Sequence, residues 1–188
     1  SEGVQYPEPK LKIMGIEAVK TSTPLPCRDK LKESFKILMN GDEKEMKEFC
    51  VNFRREFELL PPEDIGFPRS VNNVEKYSDT TSIYKKGTPM HVKGALLYNH
   101  LLKTKKVSHK HQAIYEGDKG KFVHLRKNPW NANVITFIGS LPKEFDMHKL
   151  IDYEQQFTKS FMDPLRFILE AINWKVDASD SNTIEDFF

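Results

Sequence analysis

Residues 10–24 (KLKIMGIEAVKTSTP) constrain the fold most, because they join two elements of different type. Residues 11–14 form a short apolar run that ends at Gly15, which is typical of a β-strand followed by a turn. Residues 22–24 (Ser-Thr-Pro) then suit a helix start, because a Ser or Thr hydroxyl can accept from free first-turn N–H groups and Pro needs no partner. The segment therefore predicts a strand that leads into a helix, which by itself identifies no function.

The pattern after this junction predicts two antiparallel helices. Apolar residues recur at helical spacing over residues 25–39, and residues 40–41 (Asn-Gly) supply a stop signal. Asp42 is placed to cap a second helix through Leu60, which residues 61–62 (Pro-Pro) end. One face of this second helix carries an aromatic stripe, which we interpret as core packing: Phe49, Phe53 and Phe57.

The middle of the chain mixes irregular, helical and extended segments. Residues 63–89 are the least regular and predict a loop that packs on the surface of the domain, with a short strand or helical turn at residues 71–77; the alternative is a linker. Helical spacing returns over residues 90–99. Two β-strands are predicted at residues 122–125 and 134–138, with a turn between them.

The C-terminal third predicts one more helical region. Asp146 is placed to cap it, its apolar face continues to Trp174, and Pro164 is expected to kink or divide it. Together these patterns predict an α+β fold, mostly helical, with a small β insertion. Hydrophobic residues make up 38% of the chain, which is enough for a packed core.

Composition excludes some classes of function and leaves others open. The formal net charge is only +2, because 29 basic residues face 27 acidic ones, so net charge alone does not indicate nucleic-acid binding. The two cysteines, Cys27 and Cys50, have no metal-type spacing and fit ordinary thiols of a reducing compartment. No signal peptide or membrane-length apolar run occurs in the sequence, so the expected localisation is cytoplasmic.

The distribution of charge is more informative than its sum. Lys and Arg on one surface neutralise phosphates and give sequence-independent, salt-sensitive binding to nucleic acid. The alternative is an ordinary solvated face, since 30% of the residues are charged. The densest basic run comprises Lys103, Lys105, Lys106, His109, Lys110 and His111, and it is followed by Lys119, Lys121, Arg126 and Lys127.

Several apparent motifs predict no chemistry. Residues 177–181 (DASDS) imitate a metal-binding pair of aspartates, but they lie in a polar tail instead of a rigid strand turn. His109 and His111 have no cysteine partners for a zinc site. Neither a Gly-rich phosphate loop nor a G-x-S-x-G nucleophile motif occurs. We therefore expect no catalytic residue and no metal ligand in this chain.

Four pieces of the sequence resemble family B DNA polymerases of T-even-type bacteriophages. They are residues 10–24, residues 91–99 (family pattern H-[IV]-[RK]-G-x-L-x-Y-x), residues 125–130 (L-R-x-N-P-[FW]) and residues 158–165 (TKSFMDPL). The third piece departs from the family, in which an extra Glu-Gly usually precedes the Asn-Pro. Residues 63–89 and 108–119 match weakly, although the similarity runs over nearly the whole chain.

The resemblance implies a domain organisation and a set of DNA-facing residues. Residues 1–20 would end a palm domain whose strand completes a sheet in the upstream part, 21–175 would form a thumb domain, and 176–188 a flexible acidic tail. A thumb must grip any duplex while letting it slide. By the resemblance, the thumb segments that face the primer–template duplex contain Lys20, His91, Lys93, Tyr98, Asn99, Arg126 and Lys127.

The end of the tail carries a separate signal. Ile184, Phe187 and Phe188 would lie on one face of a single helical turn, which is the arrangement of a helix-in-groove anchor. It resembles the peptide by which replicative polymerases hold a sliding clamp, with Ser181 where many versions have Gln. The alternative is that the tail folds back onto its own domain.

The parts of the family that have no counterpart in this sequence determine the activity that we expect. In the family, catalysis needs palm carboxylates that bind two Mg²⁺ ions, a fingers helix and an exonuclease domain, and none of these is in the sequence. We therefore expect this chain to serve a DNA-directed DNA polymerase but to be inactive alone, with duplex DNA, an upstream polymerase chain or domain, and the clamp as partners. It would be the second chain of a split polymerase or a portion of a continuous one; the alternative is a free-standing accessory protein that binds duplex DNA and the clamp.

Overall fold

A computed structural model describes residues 19–178, which divide into two compact units. The first, here called the helical unit, comprises residues 19–60 and 157–178. The second, the sheet unit, comprises residues 61–156. The predicted strand at residues 11–14 and the tail anchors at residues 184–188 lie outside the described residues, and the predicted domain boundaries stay predictions.

The helical unit begins with the two predicted antiparallel helices, α1 (Leu25–Asn40) and α2 (Glu43–Phe57). The side chain of Asp42 accepts a hydrogen bond from the Glu45 N–H at 2.9 Å, as predicted for a helix cap. Predicted capping of α1 by a Ser or Thr hydroxyl is wrong. Pro24 occupies the cap position without a side-chain hydrogen bond, and Pro at the start of the helix leaves fewer N–H groups to satisfy.

The predicted aromatic stripe of α2 packs in the core of the helical unit. Phe53 and Phe57 are buried, and Phe49 is half-buried. The Phe53 ring meets Phe161 edge-on at a centroid distance of 4.8 Å and Phe157 at 5.7 Å. Such pairs add to the hydrophobic stabilisation of burial, so this cluster accounts for the stripe without a binding role.

The last helical region differs from its prediction in two ways. Asp146 does not cap it: this residue has a left-handed backbone (φ 52°) and ends a short 3₁₀ turn, Lys143–Phe145. The helical path begins later, as α6 (Tyr153–Phe157), and continues through a π-helical turn, Thr158–Met162, into α7 (Asp163–Ala171).

The π-helical turn explains how Pro164 fits inside this path. A proline ring clashes with the carbonyl four residues earlier in a regular α-helix. Here the Asp163 N–H donates to the Thr158 carbonyl five residues back, which widens the turn just before the proline. Pro164 therefore does not divide the region into two separate helices, one of the two predicted outcomes: the helical path continues, and it is distorted by the π-helical turn just before α7.

The sheet unit is built on a three-stranded antiparallel sheet, β1 (Phe67–Ser70), β2 (Lys119–His124) and β3 (Val134–Phe137), in the order β1-β2-β3. The strands β2 and β3 match the predicted pair. The sequence did not predict β1, in which Pro68 pairs with Lys121 on an edge strand, the position where a sheet tolerates proline.

Helix α5 (Met90–Thr104) packs against β3 at Gly94. A Cβ atom on Gly94 would lie 2.6 Å from the backbone nitrogen of Thr136, so only glycine allows this approach of helix and strand. Two one-turn helices, α3 (Pro62–Ile65) and α4 (Val74–Tyr77), flank β1.

A buried glutamine ties the sheet unit together. The Gln156 carbonyl oxygen accepts from the backbone N–H of His124 at 2.9 Å and lies 2.8 Å from its Nδ1 atom. The Gln156 amide nitrogen donates to the Ile65 carbonyl at 2.6 Å. These bonds connect α6 with β2 and α3, and they satisfy polar groups that would be costly to bury alone.

The predicted fold class is confirmed. Helices make up about half of the described residues, and the strands form one small antiparallel sheet, which is a mostly helical α+β fold. Within residues 19–178, no helix has the length and apolar character that a membrane crossing requires.

Candidate nucleic-acid interface

Helix α5 explains why residues 91–99 have the pattern they do. Val92, Gly94, Leu96 and Tyr98 are buried, whereas His91 and Lys93 are half-exposed. The pattern therefore combines positions that pack the helix on the sheet with two polar side chains that reach the surface beside them.

His91 is held at the start of α5 by its backbone. Its carbonyl accepts a hydrogen bond from the Thr136 hydroxyl of β3 at 2.7 Å. Partial burial, and then the positive charge of Arg69, lower the pKa of the His91 imidazole below its ordinary value. In the chain without DNA both causes favour the neutral imidazole, which can offer a phosphate a hydrogen bond.

Arg69 is a cation of this surface that the sequence did not single out. It is exposed on β1, opposite Gly120 of β2, and its charge acts on His91. Arg69 lies near α5 because β1 pairs with β2, a strand about fifty residues later in the chain. The sequence around Arg69 is irregular and does not indicate this pairing.

Lys93 stacks on an aromatic ring. Its ammonium lies 5.4 Å from the centroid of the Tyr84 ring, within the range of a cation–π interaction. The side chain is half-exposed, so the contact orients the ammonium and leaves it open to solvent.

Tyr98 and Asn99 turn their polar groups into the protein. Tyr98 is only 3% exposed; its hydroxyl donates to the Gln112 carbonyl at 3.0 Å, and burial raises the pKa of that hydroxyl. The Asn99 side chain donates to the Ile114 carbonyl at 2.9 Å and accepts from the Ile114 N–H at 2.8 Å. Both residues thus bind the chain segment that follows the basic run.

Arg126 and Lys127 are exposed on the turn that follows β2. The Arg126 N–H donates to the Leu150 carbonyl at 2.7 Å. The side-chain nitrogen of Asn128 donates to the Arg126 and Ala132 carbonyls at 2.8 and 2.7 Å, which closes the turn. An ordered turn therefore presents both cations.

The sheet gives a rough spacing between these groups. Thr136, which holds His91, pairs with Phe122 of β2, and Arg126 lies four residues further along the same chain. At about 3.3 Å of strand per residue, the position of Phe122 beside the His91 contact and the position of Arg126 are roughly 13 Å apart.

Lys20 lies exposed in the helical unit, in a turn closed by the Thr23 N–H and the Lys20 carbonyl.

The basic run of the sequence forms one continuous surface segment. Lys103, Lys105, Lys106, His109 and Lys110 are all exposed, and none of them makes an ion pair with the described part of the chain. His111 differs: its Nε2 atom lies 2.8 Å from the Glu144 carboxylate, whose own backbone N–H and His111 lower its pKa.

Other candidate chemistry finds no support among residues 19–178. No group of three or more His, Cys, Asp or Glu side chains there is placed to hold a metal ion. Cys27 and Cys50 are buried as free thiols, and burial raises the pKa of each to about 12. The proposed clamp anchors Ile184, Phe187 and Phe188 lie outside this range.

Comparison with known proteins gives two informative relatives. No protein-family model matches the chain. It is 31% identical to the DNA-directed DNA polymerase of Enterobacteria phage T4 over 175 residues, which cover 90% of this chain and 19% of the relative. It is 33% identical to the DNA-directed DNA polymerase of Escherichia phage RB69 over 193 aligned residues, which cover 100% of this chain and 21% of the relative.

The chain spans about a fifth of the length of these curated relatives. The match nevertheless extends over nine-tenths or more of the chain itself, so the similarity is not confined to a short motif. The predicted resemblance is confirmed: this chain is related in sequence to the DNA-directed DNA polymerases of T-even-type bacteriophages.

Proposed function

We propose that this chain is the DNA-holding, C-terminal thumb part of a replicative DNA-directed DNA polymerase, and that its tail binds a sliding clamp. The observation that carries the proposal is the match of 90–100% of the chain to about a fifth of two phage polymerases. Template-directed nucleotidyl transfer would need the upstream part of the polymerase, as a second chain or as the preceding domains.

The surface chemistry of the sheet unit supports a grip on the DNA backbone. Arg69, Lys93, Arg126 and Lys127 place positive charge on ordered elements, and neutral His91 adds a hydrogen-bonding group. Contacts of this kind neutralise phosphates without reading bases, so the duplex can slide as the primer grows. Tyr98 and Asn99 bind the segment at residues 112–114 and do not present their polar groups at this surface.

The role of this chain in the reaction is to hold the substrate. The chemistry that extends a primer is in-line attack of its hydroxyl on an incoming nucleotide, supported by two Mg²⁺ ions bound to palm carboxylates. We assign those ligands to the upstream part and no catalytic step to the residues described here. The thumb residues would keep the primer end in register with that site.

Primer extension tests the proposal directly. This chain, the upstream polymerase polypeptide and their mixture are each supplied with a labelled primer–template, Mg²⁺ and nucleotides. We expect extension in the mixture, together with a complex on size-exclusion chromatography. No gain on mixing and no complex would favour an isolated portion of a continuous polymerase or a free-standing accessory protein. Extension by this chain alone would contradict our assignment of catalysis.

The clamp proposal needs its own experiment because Ile184, Phe187 and Phe188 lie outside the described residues. Replacing all three with Ala should abolish the increase in product length that a sliding clamp produces in the complemented polymerase. Extension without clamp should be unchanged and serves as the internal control. Clamp-stimulated product lengths equal to those of the wild type would show that the tail has another role.

A further inference from the structure

The basic segment (residues 103–110) is the strongest concentration of positive charge that the proposed DNA-facing residues leave out. Its five basic side chains are exposed within eight consecutive positions. Elsewhere in residues 19–178 several cations face carboxylates: Lys30 is 3.4 Å from Glu56, and Lys149 is 2.9 Å from Asp146. The basic segment makes no such direct ion pair within that range. Lys149 and then the charge of Lys105 lower the pKa of Asp146, and its own backbone N–H, His111 and then the charge of Lys110 lower the pKa of Glu144. Because those two carboxylates also face Lys149 and His111, the segment keeps an excess of positive charge.

The backbone of the segment is folded into a compact turn. Helix α5 ends at Thr104, Lys106 adopts a left-handed conformation (φ 56°), and the Val107 N–H donates to the Leu102 carbonyl at 3.0 Å. Val107 is buried, and the Lys110 N–H donates back to its carbonyl at 3.0 Å. The cations thus project from a turn that is anchored in the core.

Side chains on both sides hold this turn in place. Tyr98 and Asn99 on α5 bind residues 112 and 114, and the Tyr98 ring packs edge-on against Phe145 at 5.3 Å. His111 meets Glu144 in the same 3₁₀ turn as Phe145. The segment that follows the lysines is therefore fixed by four side-chain contacts.

The dipole of α5 gives a partial explanation of the charge. Cations within the last turn of a helix are stabilised by its C-terminal carbonyls, which suits Lys103 and Lys105. This effect falls off within one turn, so it does not account for His109 and Lys110. Four lysines brought together on one anchored turn, with a histidine between them, favour an external polyanion.

The composition of the segment distinguishes a phosphate backbone from a protein partner. The segment exposes Lys, Thr, Ser and His, and its apolar residue, Val107, is buried. The centres of protein interfaces are depleted of lysine and enriched in aromatic residues. Surfaces that bind nucleic-acid phosphates use Lys, Arg and hydroxyl side chains, and this segment supplies four lysines and the Thr104 hydroxyl, while the Ser108 hydroxyl donates to the Leu102 carbonyl.

We propose that the basic segment is a second phosphate-backbone site for duplex DNA, and that Tyr98 and Asn99 are positioning residues that order it before DNA binds. This inference rests on the proposed DNA-holding function and extends it. It also gives Tyr98 and Asn99 a role in DNA binding without direct contact. Because the site is ordered in advance, little conformational entropy is lost when phosphates bind.

The salt dependence of DNA binding tests the site. We compare the full chain with the triple variant Lys105→Gln/Lys106→Gln/Lys110→Gln by fluorescence anisotropy of a labelled duplex over a series of KCl concentrations. Each lost phosphate contact reduces the magnitude of the negative slope of log K against log salt by about 0.9. The slope of the triple variant should therefore be smaller in magnitude by roughly 2 to 3. The control Lys32→Gln/Lys36→Gln/Lys44→Gln removes the same charge from exposed positions of the helical unit and should keep the wild-type slope.

The outcomes separate this inference from the proposed function. If the wild type binds duplex DNA and the triple variant keeps its slope, the second site is wrong while the thumb function stands. If the control loses as much slope, only net charge matters and the site is also wrong. If the triple variant binds DNA normally but loses binding to poly-glutamate, the segment serves an acidic protein. If the wild type binds no DNA even at low salt, both proposals fail.

A coupling experiment tests the positioning residues. Asn99→Ala removes both hydrogen bonds to Ile114, and Tyr98→Phe removes one hydroxyl while keeping the ring on Phe145. Each should weaken DNA binding in the wild-type chain, Asn99→Ala more than Tyr98→Phe. Each should have little further effect in the triple-lysine variant, because the cations it positions are gone. Equal losses in both backgrounds would indicate a general loss of stability and overturn the positioning role.

Discussion

The two units of the molecule use their charged and aromatic residues differently. In the helical unit, Lys30 and Arg54 lie 3.4 and 3.5 Å from the carboxylates of Glu56 and Glu58, and an aromatic cluster fills the core. In the sheet unit, the five basic side chains of the basic segment make no direct ion pair among the described residues and share the carboxylates of Glu144 and Asp146 with His111 and Lys149, and the core depends on a close approach of α5 to β3. Exposed lysines also occur in the helical unit, at Lys32, Lys36 and Lys44, so the difference lies in the clustering of the sheet-unit cations within eight consecutive positions.

The largest expected effect comes from the aromatic core of the helical unit. Phe161 is 0% exposed and meets Phe53 edge-on, so Phe161→Ala should lower the free energy of unfolding by about 3–5 kcal/mol. Phe167 on α7 is 60% exposed, and Phe167→Ala is the matched control, with an expected loss below about 1 kcal/mol. Urea unfolding followed by circular dichroism measures both, and comparable losses would contradict the assignment of the core.

The next effect concerns the approach of α5 to β3 in the sheet unit. A Cβ atom on Gly94 would meet the Thr136 backbone at 2.6 Å, so Gly94→Ala should cost about 1–3 kcal/mol although alanine is the better helix former. His100→Ala, at an exposed position of the same helix, should change stability by less than about 0.5 kcal/mol. Hydrogen exchange should show faster opening of β3 in the glycine variant; a stabilised variant would mean that helix and strand separate without cost.

Sequence patterns predicted the parts of this fold that depend on neighbours along the chain. Helices α1, α2 and α5 are bounded by Pro, Gly and Asp, and their apolar faces have a clear period. The exposure of Lys93, Arg126 and Lys127 also agreed with a surface role.

The features that escaped prediction depend on distant partners. Strand β1 contains a proline and becomes a strand only by pairing with β2, about fifty residues later. Tyr98 and Asn99 are residue types that often contact ligands at a surface, but here they bind an irregular segment of the chain. The course of that segment cannot be predicted, because its sequence has no regular hydrophobic period. The π-helical turn before Pro164 likewise results from helix packing and has no sequence signal of its own.

A smaller effect is expected when the proposed DNA contacts are neutralised. The double variant Lys93→Gln/Arg126→Gln removes a half-exposed and an exposed cation of the sheet unit, so the magnitude of the slope of log K against log salt should fall by roughly 2. Lys32→Gln/Lys36→Gln removes the same charge from α1 and should leave the slope unchanged. Anisotropy titrations with duplex DNA give both slopes. A wild-type slope in the double variant would show that Lys93 and Arg126 do not contact the DNA backbone. The proposed DNA binding by the sheet unit would then depend on the basic segment alone.

The smallest effect should come from the ion pairs of the helical unit. Glu56→Gln removes the carboxylate that lies 3.4 Å from Lys30, but that ammonium keeps Glu33 at 3.6 Å and the Phe53 ring at 5.6 Å. Exposed pairs contribute about 0–1 kcal/mol, so we expect a loss below about 0.5 kcal/mol that decreases further at high salt. Glu48→Gln, on the same helix and exposed, is the control for the charge change.

This last experiment decides what the pairing in the helical unit means. If urea unfolding finds both variants close to the wild type, the pairs keep the surface neutral and contribute little to the fold. The basic segment then carries its excess of positive charge without a comparable loss of stability, as expected if a polyanion supplies the missing charge. A loss above about 1 kcal/mol for Glu56→Gln alone would instead make the pairs a structural requirement. The ion pairs of the helical unit would then be explained by their contribution to its stability. Only the salt-dependence measurements would then support an anionic partner for the sheet unit.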